Sequence, residues 1–228
     1  MHDVRLPDWA VARGTPLNHV TRIDPEKAAL IVIDMQSVFM APGEVFGNPH
    51  AMAIVPVVNR LVTAMRRAGG TVLWTRQTVS DMPPLAMAPW QYDPADPVVR
   101  RAMDAMRPGA PSREIHAAMD VAPGDGVIDK YRYSGFACPA GGLERELRAR
   151  GIELLLIAGT LTNVCCESTA RDAYMRGYRT LFLSDATAAV TDEEQNAALL
   201  NVRINFADVR DSETVLSMLD PLHVEETE

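Results

Sequence analysis

The chain has 228 residues, 47% of them hydrophobic and 23% charged, which is enough for one α/β domain with a large core. Its formal net charge of −8 argues against electrostatic binding to nucleic acid or to an anionic membrane surface, and no run approaches the ~18 apolar residues that span a bilayer. Cys138, Cys165 and Cys166 give no disulfide framework, because their number is odd and adjacent cysteines rarely pair; together with a start that lacks the basic and apolar stretches of a signal peptide, they point to a reducing cytoplasm.

Residues 1–23 read as an irregular extension ahead of a single domain over 24–228. Ala28 to Ile33 is a short buried strand ending at Asp34. Pro49 to Ala68 carries helical periodicity through Ile54, Val58, Leu61, Val62 and Met65 and stops at Gly69-Gly70. Thr71 to Thr75 is a second strand. The connection from Arg76 to Gly126 is rich in Pro and Met, with helical stretches at Asp96 to Met106 and Ser112 to Ala118. Connections this long are usually functional, and this one is expected to act as a lid or a subunit contact. Gly126 to Lys130 is a brief strand, and Gly142 to Arg150 a helix closed by Gly151. Glu153 to Ala158, Thr180 to Leu183 and Phe206 to Val209 read as strands. Cys166 to Gly177, Asp192 to Val202 and Ser212 to Leu219 read as the helices that follow them.

Strands alternating with helices imply a three-layer α/β/α fold with a mostly parallel sheet. Ligands of such sheets sit outside the carboxyl ends of the strands. Asp34, Lys130 and Cys165 each lie there. Cys165 belongs to the stretch Gly159-Thr160-Leu161-Thr162-Asn163-Val164-Cys165-Cys166-Glu167-Ser168-Thr169-Ala170, where a strand turns into a helix. The first turn of a helix offers unpaired N–H groups and partial positive charge, which favours the nucleophilic thiolate. Two buried structural cysteines are the plain alternative. A carboxylate beside the thiol can act as general base, an ammonium can hold that carboxylate ionised, and backbone N–H groups can stabilise an oxyanion. The set suits attack on an amide or ureido carbonyl through a thioester-type intermediate.

Three motifs in order carry a resemblance: Ile31-Val32-Ile33-Asp34-Met35-Gln36, then Lys130-Tyr131-Arg132-Tyr133-Ser134-Gly135-Phe136, then Gly159 through Ala170. Over roughly residues 25–215 the chain resembles the isochorismatase-like cysteine hydrolases, which include nicotinamidases, N-carbamoylsarcosine amidases and ureidoacrylate amidohydrolases. Thr162-Asn163-Val164-Cys165 with Glu167-Ser168-Thr169 is most similar to the ureidoacrylate and biuret type. The resemblance implies a six-stranded parallel sheet of Rossmann-like topology and an Asp34-Lys130-Cys165 triad. It places the nucleophile at Cys165, since Val commonly stands where Cys166 does. It also implies a cis peptide at Thr160–Leu161, an oxyanion site from the backbone N–H groups of Leu161 and Cys165, and a homodimer or homotetramer. Adjacent helical residues point about 100° apart, so only one of the two cysteines can face the site.

Gln36, Phe39, Trp74, Arg76, Tyr131, Tyr133 and Phe136 are the candidate substrate-binding residues, with Arg76 as a bidentate clamp for a substrate carboxylate. Gln36 contributes a polar contact or buttresses its loop. Val38 stands where the family pattern has aspartate. Arg132 reads as peripheral, Asn163 as a helix cap, Asp185 as a turn residue, and Glu167, Glu193 and Glu194 as surface charge, with Glu194-Gln195 open to a place near the pocket or a subunit contact. Nicotinamidases hold a metal on an aspartate and two histidines. None of His2, His19, His50, His116 and His223 makes an Asp-x-His pattern after Asp34, so no metal and no cofactor is expected. The expected activity is hydrolysis of a small amide or ureido compound. A vinyl-ether hydrolase and a non-catalytic binding protein on the same fold are the alternatives.

Overall fold

The six apolar runs become strands β1 (Ala28–Ile33), β2 (Thr71–Gln77), β3 (Gly126–Lys130), β4 (Leu154–Thr160), β5 (Arg179–Ala188) and β6 (Asp208–Arg210) of a single sheet. The computed structural model describes residues 1–220. Every neighbouring pair of strands is parallel, in the order β3-β2-β1-β4-β5-β6. Parallel neighbours need crossovers, supplied mainly by helices. In chain order the helices are α1 (Asp8–Asn18), α2 (Ser37–Met40), α3 (Pro49–Ala53), α4 (Val55–Arg67), α5 (Pro97–Ala105), α6 (Gly142–Ala149), α7 (Glu167–Met175), α8 (Asp192–Asn205) and α9 (Ser212–Leu219). None of the described helices is long and apolar enough to cross a membrane.

Strand alternation splits the core in two. Leu30, Val32 and Trp74 face one side, where α4 lays down Val58, Leu61, Val62 and Met65 and α9 adds Val215 and Leu219. Ile31, Ile33 and Leu73 face the other, packed against Leu143 and Leu147 of α6, Ala170 and Ala173 of α7, and Leu199 and Val202 of α8. Each such aliphatic side chain contributes roughly 1.5–3 kcal/mol on burial. β1 is buried on both faces along its whole length, which is why it reads as an unbroken apolar run.

The structure departs from the sequence reading in four places. Residues 8–18 are not irregular: they form α1, which packs on α8. Gly14 makes that approach possible, because a Cβ there would overlap the Arg203 carbonyl. Arg203 donates to Thr15 Oγ1 at 2.6 Å and is ion-paired with Asp208. Gly14 and Pro16 hide this helix from a propensity reading. The helix expected over 49–68 is two helices that meet at Ile54, because Pro56 has no N–H to continue the ladder. Residues 112–118 are not helical beyond the single turn Pro111–Arg113. Ile115 instead pairs antiparallel with Gln36, and His116 N donates to the Met35 carbonyl at 2.9 Å. Finally, β2, β4 and β5 run beyond their expected ends. In β4, Gly159 has φ +114°, and a Cβ there would collide with Ile33. Only glycine brings the ends of β1 and β4 this close.

Candidate active site

Lys130 Nζ lies 2.7 Å from Asp34 Oδ2 and 3.5 Å from Cys165 Sγ. Asp34 follows β1 and Cys165 follows β4. These strands are neighbours at the point where the strand order reverses, the switch point at which open α/β sheets bind ligands. Lys130 ends β3, two strands away, and its four-carbon stem crosses beneath β2 with the side chain 1% exposed. Its ammonium has three protons and donates to Gln77 Oε1 at 2.7 Å, the Arg132 carbonyl at 3.1 Å and Cys165 Sγ, while Asp34 Oδ2 is its ion-pair partner. The sulfur is the most distant of these neighbours. Asp34 has φ 50°, a left-handed conformation that a non-glycine residue keeps only where its surroundings hold it. Its Oδ1 accepts from Thr75 Oγ1 at 2.7 Å.

Burial pushes the Cys165 thiol up to about 12; the Lys130 ammonium opposes this and the Asp34 carboxylate adds to it. The resting sulfur is thus a neutral thiol, not the thiolate expected from a helix start. The side chain is 7% exposed, and the residue belongs to a π-helical turn, Thr162–Cys166, rather than to the first turn of α7. Burial alone would lower Lys130, but Asp34 and Cys165 outweigh it and the pKa is raised, so the lysine stays charged. Such a site needs a base to take the thiol proton, and Asp34 is in place. Cys166 is fully buried and points into the core beside Ile157 and Ala170, its thiol raised far above the usual range, chiefly by that burial.

The nucleophile turn is held from α8. Thr162 Oγ1 donates to Gln195 Oε1 at 2.6 Å, and Gln195 Nε2 donates to the Ser184 carbonyl at 3.1 Å. The Thr160–Leu161 peptide is cis, as the resemblance implies. Asn163 does not cap the turn, which starts at Leu161 without a side-chain cap. Asp185 is not in a turn: it lies within β5, where it accepts from the Ser212 backbone and hydroxyl.

A cavity of about 580 Å³ opens beside Cys165. Of the seven residues expected to bind substrate, Phe39 and Tyr133 line it, and the other five do not. Gln36 is fully buried with its side chain spent on backbone: it accepts from Gln77 N at 2.7 Å and donates to the Gln77 and Arg113 carbonyls. It buttresses rather than binds. Trp74 is buried on the α4 side of the sheet, its indole donating to Asp125. Arg76 is ion-paired with Asp129 at 2.8 Å and Glu114 at 2.6 Å, so it is not free to clamp a substrate. Phe136 packs on Tyr178 beneath Arg176. Tyr131 is half-buried away from the cavity. Arg132 is peripheral, as expected, and donates to the carbonyls of Pro84, Leu85 and Ala86.

Sequence reasoning missed Thr75, Gln77 and Tyr92. Thr75 and Gln77 share the strand parity of Leu73, which faces the cysteines, and Gln77 is the register partner of Lys130. Alternation along β2 carries that signal once the strand is drawn to its true end. Tyr92 comes from the long connection, which walls the cavity with Met106 as well. Burial first, then Tyr133, raise the Tyr92 phenol well above its usual range, so it stays protonated. His50 lines the cavity and stacks on His2 at 4.1 Å. Among the described residues no cluster of three or more His, Cys, Asp or Glu is arranged to hold a metal ion. His223 lies outside the described residues.

The isochorismatase domain model matches residues 28–214. A cysteine hydrolase from Pseudomonas syringae pv. phaseolicola superimposes with a TM-score of 0.79 at 29% identity, covering 89% of this chain and 96% of its own. An N-carbamoylsarcosine amidase from Thermoplasma acidophilum gives 0.65 at 29% identity, covering 82% and 97%. A nicotinamidase from Bacillus subtilis gives 0.66 at 26% identity, covering 81% and 99%.

Proposed function

The chain belongs to the isochorismatase family of hydrolases, and on that premise we propose that it is a cysteine amidohydrolase cleaving the C–N bond of a small amide or ureido compound. The observation that carries the reading is the buried Asp34–Lys130 ion pair set against the sulfur of Cys165, which lines the cavity. Amidases among the structural neighbours support it.

Asp34 accepts the thiol proton as Sγ attacks the carbonyl carbon, because a thiol pushed up to about 12 holds little thiolate at neutral pH. Lys130 stays protonated and holds the Asp34 carboxyl group in place beside the sulfur. The tetrahedral oxyanion faces the backbone N–H groups of Leu161 and Cys165, both of which line the cavity. Asp34 then gives its proton to the departing nitrogen, the C–N bond breaks, and an amine or ammonia leaves a thioester. Water takes the vacated place and loses a proton to Asp34. Its oxygen bonds to the carbonyl carbon, the C–S bond breaks, and the sulfur recovers the proton. The products are ammonia and an acid, or a carbamate that loses CO2 when the substrate is ureido. The same reading has the enzyme acting in a reducing cytoplasm as a homodimer or homotetramer, with no cofactor, nucleic acid or membrane partner.

The test is ammonia release by wild type, Cys165→Ala and Cys166→Ala across primary amides, ureido acids and biuret. Cys165→Ala should lose at least ~10³-fold in kcat, and Cys166→Ala should keep the activity. Near-normal turnover by Cys165→Ala would overturn the reading. Activity insensitive to iodoacetamide would point instead to the vinyl-ether hydrolases of the family.

A further inference from the structure

The cavity is far larger than the triad requires and it lacks cations. Its volume, about 580 Å³, falls in the ~300–1,000 Å³ range of sites that bury drug-sized ligands. Phe39 and Phe46 stack 5.9 Å apart, 12° from coplanar, along one wall. Leu161, Val164 and Val190 add aliphatic surface. Among the described residues no lysine or arginine side chain lines the space. Lys130 is already engaged by the Asp34 carboxylate, Gln77, the Arg132 carbonyl and the Cys165 sulfur. Arg76 and Arg113 are held by Asp129 and Glu114.

The polar side chain in the wall next to Lys130 is a neutral amide. Gln77 is 2% exposed, and its Oε1 is fixed by Lys130, which sets the amide so that Nε2 is the remaining group. That nitrogen is buried with no hydrogen-bond partner, and Gln77 lines the cavity. Because that nitrogen is buried, the wall offers a substrate apolar surface and no cationic group. A substrate carboxylate would be desolvated there without a counter-ion.

We propose that the cavity selects an uncharged amide with a bulky apolar acyl group, ring-sized or larger, seated along Phe39 and Phe46, and that it discriminates against ureido and amido acids. This rests on the amidohydrolase reading and narrows its substrate class.

The test compares kcat/KM for 3-phenylpropanamide, succinamate, N-carbamoyl-β-alanine and biuret by ammonia release, with Cys165→Ala as the blank. The aryl amide should exceed each of the other three by about 100-fold or more. Val190→Arg, at the exposed lip of the cavity, should raise the ratio of kcat/KM for succinamate to that for 3-phenylpropanamide by about tenfold. Cys165-dependent preference for a carboxylated substrate or for biuret would overturn the proposal and leave the amidohydrolase reading standing. Failure of the wild type to release ammonia from any amide or ureido compound would overturn both.

Discussion

The carboxyl ends of β2 and β3 build two charged clusters from alternate residues of the same two strands. On one face, Arg76 and Arg113 meet Asp129 and Glu114. On the other, Thr75, Gln77 and Lys130 meet Asp34 and Cys165. The first cluster is closed: each guanidinium holds two carboxylates, and those carboxylates are partly in water. The second is buried and incomplete. Gln77 Nε2 has no hydrogen-bond partner, burial raises the thiol's pKa, and Gln77 and Cys165 line a cavity. Charge alone does not mark a site. What separates the two clusters is hydrogen-bonding and proton-accepting capacity that the protein leaves unused beside a space a ligand can enter.

The sharpest test removes one carboxylate from each cluster. Asp34→Asn takes away the carboxylate beside the thiol, and kcat should fall by about 10²–10⁴-fold. It also strands the Lys130 charge in a dry site, which should cost about 3–5 kcal/mol in urea unfolding. Because the Lys130 pKa is raised above its unfolded value of 10.5, its contribution is complete below that pH and is lost as pH climbs through the folded value. Wild type should therefore lose stability in that alkaline window, and Asp34→Asn should lose less there. Asp129→Asn leaves Arg76 and Arg113 both paired with Glu114; it should cost about 1 kcal/mol or less and leave kcat within about twofold, as expected for a residue that touches no reacting group. Equal losses from the two substitutions would abolish the distinction drawn between the clusters.

A second test addresses the thiol. If Cys165 rests protonated, its alkylation by iodoacetamide should rise about tenfold per pH unit from pH 7 to 10, with no plateau near the ordinary thiol value of about 8.5. The folded value of about 12 sets the direction: the proton is held more tightly in the native state. A plateau below pH 9 would mean that the sulfur is a standing thiolate, and Asp34 would then not be needed for the first proton transfer.

The chain's order of strands, its parallel sheet and the three motif residues were legible in the sequence because each leaves a local mark: an apolar run, a polar residue at its end, a strand-to-helix turn. The pocket walls were not, and the reason is parity. Reading β2 as ending at Thr75 drew attention to Trp74 and Arg76, which face α4 and the outer ion cluster. Shifting by one residue reverses the face and picks out Thr75 and Gln77. Tyr92 had no local signal, since it enters from a long irregular segment whose path is set by tertiary packing. Gln195 carried half a signal: its place on α8 was open to the pocket, but its bond to Thr162 depends on a contact 33 residues away in sequence. α1 was hidden by Gly14 and Pro16, residues that disfavour a helix and that the packing on α8 overrides.

The smallest expected effect is also the one that separates the structure from the sequence most directly. A free Arg76 would clamp a substrate carboxylate, and Arg76→Ala would then raise KM steeply for acidic substrates. In the structure its Nε donates to Asp129 and its Nη1 to Glu114, on the face of β2 turned away from Gln77 and the cavity. After Arg76→Ala, Arg113 still reaches Asp129 and Glu114, so neither carboxylate is left alone. The loss should be about 1 kcal/mol or less, with KM for succinamate and for 3-phenylpropanamide both within about twofold of wild type. A selective rise in KM for the acid would mean that this arginine breaks its pairs and swings into the pocket when substrate binds. The closed cluster would then be a reserve of charge for the open one rather than its opposite.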